Sequence, residues 1–572
     1  MAARVLTMPT PLLPARRTVA GKVVRAYAPQ TRGAADAVGA PPRSPGARRR
    51  PSPLALAVAG LLAPAVLAGI GLAFAPAGEL PRVLPTEDGF YALSVARHVG
   101  LGQGITADGI VATNGFQPLW SFLCAPLYAL VGGNRIVGLR LTLLLGTVLW
   151  LLFAGLLAVY ARDVARRHGL PGRVAAVMAV VVVLGSVSVY RLFHNGLETG
   201  LLLVLVCAAV LALDRLERWT PRRAVAAGIL LGAIGWARVD AAAFIMAVGV
   251  LALAGALRGD RAAAVGRLAA CALGGLLLVP WLAYGVHLDG HLIPSGGRAQ
   301  SLGQVHVAEM ASATTRAIGD WILAPAFRPT LHPGHRVDLL IGIGAIAIFL
   351  AALALVAARA RRLDVRLGTG ALWLYLAFLV AYYTLGQGSW WFQDRYLAAS
   401  LLVALPWLAT ALEALLPARA VLAAAGLVAV FNLPLFGVLI AAPRRPPAWA
   451  APAANTGTHP NLNWDQTRWT LRHVRPSCRV GARETGTLLY FRPNTVNLDG
   501  KVNPAALRAI ATRRPGALSR YADRAHVDVL IDARVAIRID TGQRWGTTWR
   551  PARRVDARFL ETVRRGRQDC LR

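Results

Sequence analysis

Between residues 53 and 441 the chain alternates long apolar runs with short polar breaks. Eleven runs stand out, at 53–77, 137–160, 174–193, 199–213, 224–237, 241–257, 268–287, 338–358, 369–386, 396–416 and 420–441. A helix needs roughly 20 mostly apolar residues to cross a hydrocarbon core of about 30 Å, and runs of this kind predict such helices. The expected fold is a polytopic α-helical membrane protein with about 11 transmembrane helices. A further run, "QPLWSFLCAPLYALVGG" at 117–133, is short and carries Pro118 and Pro126. Were it a crossing, it would invert the side of every later loop, so it reads as a re-entrant or surface helix.

The polar breaks assign the sides. Arginine gathers at 161–173, 214–223, 258–267 and 359–366, and excess basic charge in short loops marks the cytoplasmic face. Residues 1–52 carry ten basic side chains against Asp36 alone and read as a disordered basic cytoplasmic tail. The transmembrane domain then spans 53–441, with a first external loop at 79–136. An odd number of crossings puts residues 442–572 outside. That region opens on the Pro-rich "APRRPPAWAAPAAN". Short apolar strands such as "VDVLIDA" and helical stretches such as "NPAALRAIATRR" follow, predicting a small extracytoplasmic α/β domain.

Composition agrees. The chain is 56% hydrophobic and 16% charged, where a soluble protein carries about a quarter charged residues. A formal net charge of +34 would suit a nucleic-acid partner, but the arginines sit where membrane topology puts them. Lysine is nearly absent beside abundant Ala, Arg and Pro, which points to a GC-rich coding sequence. Cys124, Cys207 and Cys271 lie in apolar runs as small core residues. Cys478 and Cys570 fall in the polar C-terminal region, where a disulfide and two free thiols are both open.

With these sides assigned, the informative polar stretches share the outer face: 79–116, "HNGLETG", "ARVDA", "HLDGHLIPSGGRAQS", "GQGSWWFQDRYL" and "YFRPNTVNLDGKVN". Ionisable groups at membrane depth are costly and mark pathways or active sites. In "TEDGFYALSVARHVG", Phe90, Leu93, Val95 and Ala96 have helix-like spacing, which puts Glu87 and Asp88 at a helix N-terminus. Two roles stay open for this pair: favourable charge at a helix start, or a general base that takes a proton from an attacking hydroxyl. "GLGQG" at 100–104 lacks the preceding strand of a phosphate loop. His287 and His291 are separated by Gly290 from a continuous helix, against a metal pair.

The same motifs carry a resemblance. "TEDGFYALSVARHVGLGQGITADGIVATNGFQPLW" resembles the first external loop of C-type (GT-C) polyprenyl-phosphate-sugar-dependent membrane glycosyltransferases. "NGLETGL", "ARVDA", "LIPSGGRAQ", "DRYLAA" and "VNLDGKVN" follow in the order of one branch of that superfamily, to which mycobacterial terminal arabinofuranosyltransferases are similar at a distance. The likeness spans roughly residues 80–535 and rests on six short motifs.

The resemblance implies a helical membrane fold with a cavity at the outer face of the plasma membrane. There a sugar, arabinofuranose or mannose, would pass from a polyprenyl-phosphate donor to a glycan, lipid or protein acceptor of the cell envelope. It assigns the base to the acidic residue of the first external loop. This chain has Glu-Asp where many members have Asp-Asp, so Asp88 and Glu87 compete, with Asp88 retaining the commoner residue. Donor phosphate would fall to Arg298, Arg395 and Arg238, because a guanidinium fork matches phosphate oxygens. Their competing roles are ion pairs, Arg238 with Asp240 and Arg395 with Asp394, or loop solvation. Glu198, Asn114, Ser295 and Asp499 would touch substrate. Trp120, Trp390 and Trp391 suit sugar stacking but suit the membrane interface better. The superfamily leaves room for a divalent metal, and nothing in the sequence specifies one. A transporter or lipid flippase is the rival class, but neither the inverted repeats nor the broken midplane helices expected of it are visible in the sequence.

Overall fold

The computed structural model describes residues 53–83, 85–302, 305–323, 335–386, 393–441, 463–514, 516–533, 553–555 and 559–572. The predicted tail at 1–52, the linker at 442–462 and Trp390 and Trp391 lie outside the described residues. Every one of the eleven apolar runs is helical. In chain order, α1 (Pro53–Ala73) and the short α2 (Leu80–Val83) precede α3 (Glu87–Gly100), which begins the polar motif. Next come α4 (Pro118–Leu130), α5 (Arg135–Arg167), α6 (Arg173–Gly185), α7 (Val187–His194), α8 (Thr199–Arg215) and α9 (Pro221–Ala237). The bundle continues with α10 (Ala242–Leu257), α11 (Arg261–Asp289), α12 (Ser295–Ser301), α13 (Val307–Leu323), α14 (His335–Ala360) and α15 (Leu367–Leu385). It ends with α16 (Gln393–Tyr396), α17 (Ala399–Leu415) and α18 (Ala418–Ala441).

Among the described residues, five helices are long and apolar enough to cross a membrane alone, or six if the α6–α7 pair, bent by 66°, is one broken span, fewer than the 11 crossings expected because several apolar helices are shorter. The bend falls at Gly185–Ser186. Ser186 Oγ accepts from the Val189 amide at 3.3 Å, and Asn432 Oδ1 accepts from the Val187 amide at 3.3 Å. These side chains satisfy donors that the break frees, which is how a broken helix survives in an apolar medium. Helix α4, the apolar run set apart above, has 13 residues with Pro118 in its first turn and Pro126 inside. Its length of about 20 Å is short of the hydrocarbon core, and it lies along α3.

Helix α13 was not foreseen. Glu309, Arg316 and Asp320 interrupt its apolar sequence, yet Met310, Ala313, Thr314, Ala317 and Trp321 recur at helical spacing and are buried against α14, α15 and α17. It also holds the short α16: Trp321 Nε1 donates to the Asp394 carbonyl at 2.6 Å, and Thr314 Oγ1 to Gln393 Oε1 at 2.6 Å.

The expected α/β layer follows, with α19 (Asn463–His473), β1 (Val480–Ala482), α20 (Gly486–Phe491), β2 (Thr495–Asn497), α21 (Pro504–Ala511), α22 (Ala517–Arg524), β3 (Val529–Ala533), β4 (Arg553–Arg554) and β5 (Phe559–Val563). The sheet order is β2-β1-β3-β5-β4, parallel through β2, β1 and β3 and antiparallel across β3, β5 and β4. Both faces are covered. Val480, Val529 and Ile531 pack with Leu488, while Val496, Leu498 and Leu530 pack against α21 and α22. Cys478 and Cys570 are joined as a disulfide, which settles the pairing left open above.

This layer sits directly on the start of the first external loop. A Cβ on Gly486 would stand 2.0 Å from the Glu87 carbonyl, so α20 touches α3 backbone to backbone. Arg82 pairs with Asp465 of α19, and Trp464 Nε1 donates to the Gly78 carbonyl at 2.7 Å.

Candidate active site

Helix α3 is capped by Thr86, whose Oγ1 accepts from the Gly89 amide at 3.1 Å. The carboxylates after it are therefore free of the capping bond and turn to different partners. Glu87 faces the C-terminal layer: its Oε2 accepts from Thr487 Oγ1 at 2.5 Å and its Oε1 from the Thr487 amide at 3.2 Å. Burial, aided by Glu484, pushes its pKa up to about 7 against the opposing bonds from Thr487 and Asn463.

Asp88 faces a cavity of about 510 Å³ instead. Its Oδ1 accepts from Lys501 Nζ at 2.8 Å, and Arg395 Nη1 stands 3.8 Å from its Oδ2. Burial works against its charge, but Lys501 and Arg395 outweigh it and hold the carboxyl below its usual range. Asp88 is therefore ionised.

Lys501 was missed by sequence reasoning, although the motif that contains it was quoted. A signal was present: it is one of only two lysines in the chain, the other being Lys22. In a sequence that writes arginine almost everywhere, a retained lysine marks a site that wants a compact ammonium on a flexible stem. The backbone around it is fixed. Asp499 Oδ1 accepts from the Lys501 amide at 2.7 Å, and Ser295 Oγ donates to the Lys501 carbonyl at 2.8 Å. Asn114 Oδ1 in turn accepts from the Ser295 amide at 3.1 Å. Asn114, Ser295 and Asp499 are thus brought together as a buried brace behind the cavity, outside its lining. Glycine is required beside them, since a Cβ on Gly115 would stand 1.8 Å from the Lys501 carbonyl.

The remaining charges come from helix ends. Arg238 sits in extended backbone where α9 stops, and its guanidinium forks onto both oxygens of Asp240. Glu198, which precedes α8, lies 3.8 Å from Arg238. The Arg238–Asp240 ion pair, the competing role named above, is thus present, and Arg395 stands beside Asp88. Arg238 and Arg395 each stand within 4.8 Å of the Tyr396 ring centre, a cation–π arrangement, and Tyr383 stacks on that ring. The cavity is also lined by apolar side chains, among them Met246, Phe378 and Leu379.

The structure departs from expectation at Arg298 and Trp120, as it does at Asn114, Ser295 and Asp499, which stand outside the cavity lining. Arg298 does not line the cavity; it donates to the buried Asp289 at 2.7 Å, because α12 places it over the end of α11. Trp120 is buried and donates to the Gly196 carbonyl at 2.8 Å, a packing role. His291 is mainly exposed and turned to the Asp289 carbonyl. A divalent metal does not fit the donor set. The carboxylates of the cavity are each beside a guanidinium or ammonium group, and among the described residues three ligating atoms converge only at Cys478, Asp528 and Cys570, two of them in the disulfide.

No family model and no curated protein sequence matches the chain. Solved structures do. ArnT from Cupriavidus metallidurans bound to undecaprenyl phosphate is similar at 13% identity, covering 88% of this chain and 98% of that one, with a TM-score of 0.51. Its apo state is similar at 10% identity, covering 90% and 98%, with a TM-score of 0.53. The chain shares the fold of ArnT. The archaeal oligosaccharyltransferase AglB from Archaeoglobus fulgidus, in complex with an inhibitory peptide and a dolichol-phosphate, matches at 14% identity over 83% of this chain and 69% of that one, with a TM-score of 0.47.

Proposed function

We propose that the chain is a membrane glycosyltransferase that moves a sugar from a polyprenyl-phosphate donor to a cell-envelope acceptor at the outer face of the membrane. One observation carries this reading. A single cavity joins an ionised carboxylate, Asp88, to the cations Arg238, Arg395 and Lys501, with Asp240 and Glu198 beside Arg238 and apolar side chains completing the lining. Such a site suits a ligand with a phosphate at one end and a lipid at the other. The fold shared with ArnT, solved with undecaprenyl phosphate, supports the same donor class.

In the reaction so assigned, Asp88 takes the proton of an acceptor hydroxyl while its oxygen attacks the anomeric carbon. The bond from that carbon to the phosphate oxygen breaks, and lipid phosphate leaves with the electron pair. Arg395 and Lys501 match the charge that develops on it, which is where electrostatic stabilisation is most effective. Arg238, forked onto Asp240, holds Asp240 and Tyr383 in place beside them. Arabinofuranose and mannose are the sugars to test first, with glycan, lipid and protein acceptors alike. The bent α6–α7 pair is a feature that the transporter alternative also expects, but none of its residues lines the cavity.

The test is turnover by the purified full-length chain in lipid nanodiscs, supplied with labelled polyprenyl-phosphate sugars and an envelope extract. Label should move into the acceptor fraction. Mass spectrometry of envelope glycans from a deletion strain should show the missing residue. Absence of transfer from every lipid-linked sugar, with an unchanged envelope in the deletion strain, would remove the proposal.

A further inference from the structure

The cavity contains a conflict that the reaction must resolve. Asp88 cannot be a good base while two cations face its two oxygens, and those cations cannot serve a phosphate while Asp88 occupies them. Formally, the cations Arg238, Arg395 and Lys501 are balanced by Asp88, Asp240 and Glu198 before any ligand enters. A phosphate can be matched only if one carboxylate gives up its partners.

The geometry indicates which one. Asp240 is held by a two-bond guanidinium fork and by Tyr383 Oη at 2.5 Å. Glu198 lies 3.8 Å from Arg238, a guanidinium already forked onto Asp240, so its release would free no further cation. Asp88 is held more loosely than Asp240, by one ammonium contact at 2.8 Å and one guanidinium at 3.8 Å, and its release frees both. Lys501 is fixed at its backbone by Asp499 and Ser295, but its ammonium ends a flexible four-carbon stem, with Asp499 Oδ2 as a second neighbour at 3.9 Å. It can swing without moving the brace that carries it.

We propose that Lys501 and Arg395 serve two anions in turn: Asp88 in the empty cavity, and the donor phosphate in the loaded one, whose arrival frees Asp88 to act as base. The inference rests on the glycosyltransferase reading above and adds its control. The base is switched on by the substrate that needs it. Without donor, an acceptor hydroxyl or a water in the cavity meets a carboxylate quenched by its neighbours. With donor bound, burial is what remains acting on Asp88, and it favours proton uptake. After transfer the leaving lipid phosphate departs. Asp88 gives its proton to solvent and takes Lys501 back, which helps to expel the product.

Competition for the same cations makes a prediction that runs against ordinary intuition about site mutations. Equilibrium binding of undecaprenyl phosphate to the full-length chain in nanodiscs is the measurement. Asp88→Asn removes the competing charge and should tighten binding about fivefold or more, the scale of ordinary coupling between sites. Asp88→Ser, a second neutral replacement, should do the same. Lys501→Gln should weaken binding about tenfold or more, a lost charge-assisted contact, and should erase most of the gain in the double variant. If Asp88 only aligns Lys501 for phosphate, both neutral replacements bind equally or more weakly, and that result overturns the switch while leaving the donor class intact. No binding to the wild-type chain at all would overturn the donor class, and the switch with it.

Discussion

Asp88 and Glu87 are consecutive carboxylates at the start of one helix, and their surroundings give them opposite work. Asp88 is kept charged at the cavity, whereas Glu87 is pressed into the joint with Thr487 and pushed up to about 7. Asp88→Asn preserves size and should leave folding intact while lowering transfer by about a hundredfold or more. Glu87→Gln should keep activity, since an amide can still bridge to Thr487. It should instead change the pH response of stability. A carboxyl raised from 4.5 to about 7 gives the folded chain a proton that the unfolded chain lacks between those values, so the contribution is full below pH 4.5 and fades as pH rises through 7. Thermal midpoints measured from pH 5 to pH 8 should fall with pH in the wild type and flatten in Glu87→Gln. Sequence reading reached the pair but could not separate its members, because the groups that distinguish them, Lys501 and Thr487, arrive some 400 residues later.

At the scale of elements, the apolar runs were legible as helices because a continuous apolar stretch of that length folds as one, although among the described residues only five are long and apolar enough to cross a membrane alone. Helix α13 was not, since its Glu309, Arg316 and Asp320 obey a different rule: a helix packed among other helices needs a buried stripe, not an apolar sequence throughout. Close backbone contacts were equally hidden. Gly486 leaves α20 no distance from α3, so Gly486→Ala must force the C-terminal layer off the helix that carries Asp88. Overpacking of this kind costs roughly 1–3 kcal/mol. Limited proteolysis should cut the 463–533 region faster in Gly486→Ala than in the wild type, with transfer reduced in parallel. An unchanged digestion pattern would mean that the joint is looser than this contact requires.

For the molecule as a whole, the arginine pattern and the cavity make one claim about sides. Reporters fused near residue 110 and after residue 450 should read outside and one near 365 inside; a cytoplasmic residue 110 would remove Asp88 from the face where lipid-linked sugars are used. The Cys478–Cys570 bridge bears on the same point, because such bonds persist in oxidising compartments. Blocking it with Cys478→Ala should cost the domain about 2–4 kcal/mol, seen as a lower unfolding midpoint. The scarcity of lysine has a practical side too. In a protein with Lys22 and Lys501 as its lysines, an amine-acylating reagent has a single side-chain target within the membrane bundle and its C-terminal layer. In the wild type that target should be slow to label. Burial opposes its charge, but Asp88 and Asp499 overcome this and keep the amine protonated, hence unreactive. A peptide map that counts modified Lys501 therefore becomes a gauge of this cavity alone, read out in intact membranes with no substrate turned over.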